Sequence, residues 1–201
     1  MQSLIDHART LPAKIVKQQQ DFPTLAHGQR RIALFIACSD SRVMPSLFTG
    51  SPAGDLVELR TRGTIVPRYR PHAACGVAAS VEFAIKALEA PGLVICGHSH
   101  CGAVQGMLRS QSVKSLPLVS RWLTWAGHRA RRTCPWQTQT PDQDLTRVAQ
   151  RHLLTQLHHL RPCPDIRRLT AGRLRVHGWY CTVETGEVLA SAHGSREFRP
   201  L

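Results

Sequence analysis

Several kinds of residue and segment are scarce or missing in this chain of 201 residues, and each absence excludes a class of protein. No apolar run approaches the roughly 20 residues that a helix needs to cross a bilayer, so we expect no membrane-spanning helix. The initial segment, MQSLIDHART, contains no apolar stretch as long as that of a signal peptide, and we expect that the protein is not exported. Hydrophobic residues still make up 42% of the chain, which is enough for a sizeable core.

The cysteines do not follow the pattern of a disulfide-stabilised protein. There are seven of them, an odd number, and they are scattered along the chain. A full disulfide framework is therefore excluded, and roles as free thiols or metal ligands in a reducing compartment are favoured. We accordingly expect a cytoplasmic protein.

Acidic residues are half as frequent as basic ones. Lys and Arg number 26 against 13 Asp and Glu, and the formal net charge is +13 with neutral histidine. Such a charge attracts nucleic acids, anionic surfaces and small anions alike. The basic residues are mostly arginines, spread over several segments without an aromatic-rich RNA-binding motif, so we do not expect a nucleic-acid partner.

The length suits a single domain, residues 1–201, with a helical arm at residues 1–20 and a core at residues 21–201. Apolar residues recur at nearly helical spacing along the arm, at Ile5, Ala8, Leu11 and Ile15. Pro12 predicts a break or a kink in this helix.

Apolar runs of strand length alternate with helical stretches along the core. The runs at residues 31–38 and 93–96 are typical of strands buried on both faces, and residues 55–59 are a further strand candidate. Helices are predicted at residues 73–90, 103–108, 119–130 and 145–160, a loop at 133–144, and a hairpin of two strands at 174–181 and 187–190. The predicted class is α/β, with a mainly parallel central sheet, flanking helices, an antiparallel edge strand near the C-terminus and the N-terminal arm.

Two of the predicted strands end in residues that bind metals. Cys38 ends the first strand, and His98 and Cys101 follow the third. Carboxyl ends of neighbouring parallel strands meet at one edge of a sheet, so these three side chains converge if the two strands are neighbours. Two thiolates and an imidazole are a typical zinc set, and three protein ligands leave one position for water, as in catalytic zinc sites. The alternative is that they are ordinary buried cysteines.

A carboxylate and a guanidinium stand beside this set. Asp40 and Arg42 are two residues apart and can emerge on the same side of an extended segment. A carboxylate there can either ligate the metal or accept a hydrogen bond from its bound water, and Arg42 can hold Asp40 off the metal through two parallel hydrogen bonds. The alternative is a surface ion pair of little energetic value.

The segments around these residues carry a family resemblance. Residues 38–45, CSDSRVMP, and residues 93–102, LVICGHSHCG, are similar to the two signatures of the β-class carbonic anhydrases. The resemblance runs from about Asp21 to the C-terminus. It implies a catalytic core that performs the zinc-dependent, reversible hydration of carbon dioxide to bicarbonate and a proton, by attack of zinc-bound hydroxide. It also implies a homodimer or a dimer of dimers, with the arm reaching the partner.

The same resemblance implies roles for individual residues. One Zn²⁺ per subunit is held by Cys38, His98 and Cys101, and Asp40 and Arg42 form the dyad beside the metal-bound water. Asp40 is also expected as a fourth ligand in a closed form of the site.

The chain departs from the family at two places. The loop at residues 60–64 reads RTRGT, where the family usually carries Arg-Asn-Ala-Gly-Asn, and the whole chain contains no asparagine. Some family members also bind bicarbonate away from the active site, through a Trp three residues before the first zinc cysteine. Phe35 occupies that position here, so we expect no such site, although Arg60 matches its arginine.

Two other functions stay open on the sequence alone. Hydrolases of carbonyl sulfide and carbon disulfide resemble the same family and keep its zinc ligands, because hydroxide attack on their substrates is the same chemistry. A basic nucleic-acid-binding domain with structural zinc is the second. Histidines away from the signatures, His158 and His159 among them, are expected on the surface or on a helix face.

Overall fold

The computed structural model of the chain describes residues 1–17, 22–70, 75–108, 113–127, 141–191 and 196–201. In these ranges, no helix is both long enough and apolar enough to cross a membrane.

A six-stranded sheet lies at the centre of the described structure. Its strands are β1 Ala33–Cys38, β2 Leu56–Thr61, β3 Gly92–His98, β4 Arg175–Cys181, β5 Val188–Ser191 and β6 Phe198–Pro200. They lie in the order β2-β1-β3-β4-β5-β6, with β1 to β4 parallel to one another and β5 and β6 antiparallel to their neighbours. The predicted α/β class and mainly parallel sheet are confirmed, and the three-residue β6 adds a second antiparallel strand beyond the predicted hairpin.

Helices connect and flank these strands. They are α1 Gln2–Lys17, α2 Phe22–Leu25, α3 Pro45–Thr49, α4 Gly76–Glu82, α5 Gly102–Leu108, α6 Pro117–Gly127, α7 Pro141–Leu160 and α8 Pro164–Thr170. Arg62–Thr64 form a single tight helical turn after β2, and Phe83–Ala87 continue α4 as a wider turn.

Strand β1 shows why the apolar runs lack alternation. All six of its residues are buried. Leu34 and Ile36 belong to the main core, to which α4, α5 and α7 also contribute, whereas Phe35 and Ala37 belong to a smaller cluster on which Phe48 of α3 packs. Because both faces of the strand are covered, every position selects an apolar residue.

Two helical predictions need correction, and one helix was not predicted. α1 continues through Pro12, so this proline does not end the helix. α7 begins at Pro141, inside the predicted loop of residues 133–144, and the remainder of that loop lies outside the described residues. α8 was not predicted, and Pro164 stands in its first turn, where the missing amide hydrogen of a proline costs no helical hydrogen bond.

Candidate metal centre

The three predicted metal-binding side chains meet at one edge of the sheet. Cys38 ends β1, His98 ends β3 and Cys101 directly precedes α5. β1 and β3 are parallel neighbours, with Ala37 opposite Cys96, so their carboxyl ends bring the first two side chains together. All three residues are buried, and their ligand atoms lie within 4.8 Å of one another.

The ring of His98 has one nitrogen that the protein does not satisfy. Its Nδ1–H donates to the carbonyl oxygen of Ser99 at 2.8 Å, and because a carbonyl oxygen only accepts, the proton sits on Nδ1. The lone pair of Nε2 is buried and has no hydrogen-bond partner. A buried acceptor without a donor is costly, and a metal ion beside the two thiols would satisfy it. The residues present therefore fit zinc.

The two sulfur atoms form an asymmetric pair. The pKa of Cys38 is lowered, mainly because the Cys101 thiol donates a hydrogen bond to its sulfur; burial opposes this shift, and His98 and the amide of Gly63 assist it. The same hydrogen bond and burial raise the pKa of Cys101. The Gly63 amide lies 3.4 Å from the sulfur of Cys38. The two shifts are opposite, so Cys38 is the sulfur that loses its proton more readily, and a coordinated cation would also displace the proton of Cys101.

Asp40 and Arg42 lie together beside the cluster. Arg42 donates from Nε to Oδ1 of Asp40 at 2.9 Å and from Nη2 to Oδ2 at 2.8 Å, and its backbone amide donates to Oδ1 at 3.1 Å. These hydrogen bonds hold the pKa of Asp40 well below its usual range. Nη2 of Arg42 also reaches the carbonyl oxygen of His100 at 3.2 Å. The carboxylate is therefore ionised, and both of its oxygen atoms are held by Arg42.

Arg60 fixes the segment that carries this pair. From β2, its guanidinium donates to the carbonyl oxygens of Cys38 at 3.1 Å, Asp40 at 2.7 Å and Val43 at 2.7 Å. The sequence indicated Arg60 only as a match to a bicarbonate-site arginine. In the structure it connects the end of β1 to the turn after it. No local sequence pattern predicts this role, because the partners lie up to 22 residues away in the chain.

A second polar group at the same edge was not predicted. Ser99 donates to one oxygen of Glu184 at 2.6 Å, and Nε2–H of His100 donates to the other at 3.1 Å. The Ser99 hydroxyl also accepts the amide hydrogen of Val183 at 2.9 Å. The hydrogen bond from Ser99 is the main reason that the pKa of Glu184 is lowered. The available signal was that Glu184 follows β4, the strand next to β3.

Comparison with known proteins gives one consistent relationship. A family model described as carbonic anhydrase matches residues 33–188. A carbonic anhydrase of Synechocystis sp. is 42% identical over 194 residues, which cover 94% of this chain and 70% of the relative. A carbonic anhydrase of Pseudomonas aeruginosa is 38% identical over 185 residues, or 92% of this chain and 84% of the relative.

Solved structures agree with these sequences. The β-carbonic anhydrase CcaA is 38% identical and superimposes with a TM-score of 0.92, over 100% of this chain and 92% of that chain. One of two tetrameric β-carbonic anhydrases from Sordaria macrospora is 26% identical, with a TM-score of 0.75 over 94% of each chain. With most of its length matched in sequence and in fold, the chain belongs to the β-carbonic anhydrase family.

Proposed function

We propose that this protein catalyses the reversible hydration of carbon dioxide to bicarbonate and a proton, with one Zn²⁺ per subunit held by Cys38, His98 and Cys101. One observation carries the metal assignment: the unpartnered Nε2 of buried His98 lies within 4.8 Å of two cysteine sulfurs. Zinc prefers this donor set, and three protein ligands leave one coordination position open.

When bound, zinc lowers the pKa of a water ligand from about 15.7 towards about 7 and so supplies hydroxide near neutral pH. The chain's own contribution is the acceptor. Asp40 stays ionised because Arg42 holds both of its oxygens, and it accepts a hydrogen bond from the nucleophile and orients it. Arg60 keeps the segment in place through its carbonyl oxygens. We further propose that Asp40, once released by Arg42, becomes the fourth metal ligand of a closed form.

A metal assay combined with stopped-flow hydration of carbon dioxide tests this function. The purified protein should contain one zinc per chain and should acidify the solution at a rate proportional to its concentration. Protein without zinc, or zinc-loaded protein without hydration, contradicts the proposal. Carbonyl sulfide offered in a parallel assay separates the alternative substrate: hydrolysis of it with no hydration of carbon dioxide would replace the function proposed here.

We also propose a homodimer or a dimer of dimers, built from the core of residues 21–201 and joined through the arm of residues 1–20. The support is that α1 presents apolar side chains to solvent, with Leu4 66% and Leu11 39% exposed. The Sordaria relatives are described as tetrameric. Light scattering after gel filtration should give two or four chains per particle, and Leu4→Ser combined with Leu11→Ser should lower that number. A monomeric wild-type protein contradicts this arrangement.

We place the protein in the cytoplasm. The six cysteines within the described residues are free thiols, and a site with two cysteine ligands needs a compartment that keeps them reduced. Fractionation of the source cells, with an antibody to the protein, should recover it with cytoplasmic markers.

A further inference from the structure

Three polar residues of α7 are buried against the loop that follows β2. His152, Gln156 and His159 lie about one turn apart and are at most 9% exposed, so His159, expected on the surface or on a helix face, lies on a buried helix face. They face residues 61–66, hereafter the Gly63 loop. Buried polar side chains are costly unless they have hydrogen-bond partners, so the three residues of this row need partners inside the protein.

The row forms a continuous hydrogen-bond network with the loop. Nε2–H of His152 donates to the carbonyl oxygen of Gly63 at 2.8 Å, and Nδ1 accepts from Nε2 of Gln156 at 3.3 Å. Oε1 of Gln156 accepts the amide hydrogen of Val66 at 3.0 Å, and Nδ1–H of His159 donates to the carbonyl oxygen of Val66 at 2.8 Å. Since carbonyl oxygens only accept, the network assigns each ring one donor position. Burial lowers the pKa of His152 to about 4, which keeps that ring neutral.

The opposite side of the same loop faces the metal centre. The Gly63 amide donates to the sulfur of Cys38 at 3.4 Å. The carbonyl oxygen of that same peptide, from Arg62, accepts the indole N–H of Trp122 at 2.8 Å. Gly63 has a φ of +76°, and a Cβ there would meet the Cβ of Ala103 at 2.8 Å. Glycine is therefore required, and its lack of a side chain leaves its orientation to the groups that bind its peptides.

The rest of the loop is anchored independently. The hydroxyl of Thr61 donates to the carbonyl oxygen of Ile65 at 3.0 Å, and that of Thr64 donates to the carbonyl oxygen of Cys96 at 3.1 Å. These two threonines stand where the family usually has asparagine. They hold the ends of the loop, whereas His152 and Trp122 bind the two carbonyl oxygens that flank the Gly63 amide.

We propose that His152 is a positioning residue for the metal centre: it fixes Gly63 so that the amide donates to the Cys38 sulfur and sets how strongly that sulfur binds the metal. The inference rests on the metal site proposed above. An N–H donor draws electron density from a thiolate and thereby limits its donation to a cation. Groups that hold metal ligands in this way typically change metal affinity or activity by about 10–100-fold when they are removed.

Two variants of equal side-chain length test the role. Gln retains a donor at the position of Nε2 of His152, and Met removes it. In cobalt(II)-substituted protein, His152→Met should shift the sulfur-to-cobalt charge-transfer absorption and increase metal loss to a chelator by about 10–100-fold. His152→Gln should resemble the wild type in both readouts. His158→Met, on the exposed side of the same helix, is the matched control and should change neither.

Folded His152→Met protein with wild-type absorption and metal retention overturns the inference, and so does a His152→Gln protein as altered as His152→Met. If His152→Met does not fold, His152→Asn, whose shorter amide does not reach Gly63, takes its place in the same measurements. Wild-type protein that binds neither zinc nor cobalt removes the proposed function and this inference together. Metal-binding wild-type protein with an unaltered donor-deleted variant removes the inference alone.

Discussion

The two sides of the cluster formed by Cys38, His98 and Cys101 are held by different interactions. On the inner side, buried and uncharged groups of α7 hold the Gly63 loop, and Gln156 has no exposed surface. On the outer side, charged pairs reach solvent: the side chains of Arg42 and Glu184 are 48% and 51% exposed. Water does not compete for the inner hydrogen bonds, whereas it continually competes for the outer ones. The inner side is therefore suited to fixing the ligands, and the outer side to groups that move during turnover.

Removing a ligand should have the largest effect. Cys101→Ser replaces a thiolate by a hydroxyl that stays protonated at neutral pH, so zinc and activity should be lost together. Metal analysis and carbon dioxide hydration on the same sample measure this. Cys163→Ser, a described free cysteine outside the cluster, is the control and should keep both. A zinc-replete, active Cys101→Ser protein would mean that the ligand set is wrong.

Asp40→Asn tests the outer side and leaves Cys38, His98 and Cys101 intact. The amide has nearly the same size but replaces one carboxylate acceptor by a donor, so we expect zinc to stay and activity to fall by about 10²–10⁴-fold. The rate of hydration per bound zinc measures this loss. Near-normal hydration would show that Asp40 only supports the structure.

The contrast between the two sides also separates what the sequence could predict. Cys38 and His98 end apolar runs whose strand character is a local property, and Asp40 stands two residues from Arg42. The sequence therefore predicted that they meet at one edge on the condition that the two strands are neighbours, which the structure confirms. The residues that hold this cluster in place could not be predicted in the same way. Arg60 meets the carbonyl oxygen of Cys38 across 22 residues of sequence, and His152 meets that of Gly63 across 89.

Polar residues in an apolar helix stripe carried little information by themselves. His152 lies in the predicted helix between Val148 and Leu153, where a histidine looks like an interruption of the buried face. Only the sheet order places the Gly63 loop next to that face and gives the ring its acceptor. The pattern could identify the helix, but it could not identify the loop that the helix holds.

Acid should weaken the inner side through His152. Burial lowers the pKa of this ring from 6.5 to about 4 in the folded protein, so the unfolded chain takes up a proton between these values and the folded one does not. The contribution of the neutral ring is complete above pH 6.5 and is lost as the pH falls towards 4, amounting to about 3 kcal/mol. Urea unfolding at several pH values should show that His152→Gln loses less stability than the wild type across this window. Parallel pH profiles of the two proteins would contradict this.

Arg42→Ala should have the smallest effect on activity of these variants, and it tests most directly whether the charged outer side governs the site. It removes the two side-chain hydrogen bonds that hold Asp40, while the backbone amide at position 42 still donates to Oδ1. The freed carboxylate stays close to the cluster, so we expect it to join Cys38, His98 and Cys101 as a fourth ligand, most readily at acid pH, where hydroxide competes least for the metal. Activity should fall by about 10–100-fold, with zinc retained.

X-ray absorption at the zinc edge counts sulfur and light-atom ligands, and crystals at two pH values show where Asp40 points. Arg9→Ala, which removes an exposed pair on α1, is the matched control. An Arg42→Ala protein with normal hydration and Asp40 away from the metal at every pH would show that the outer charges do not govern the site.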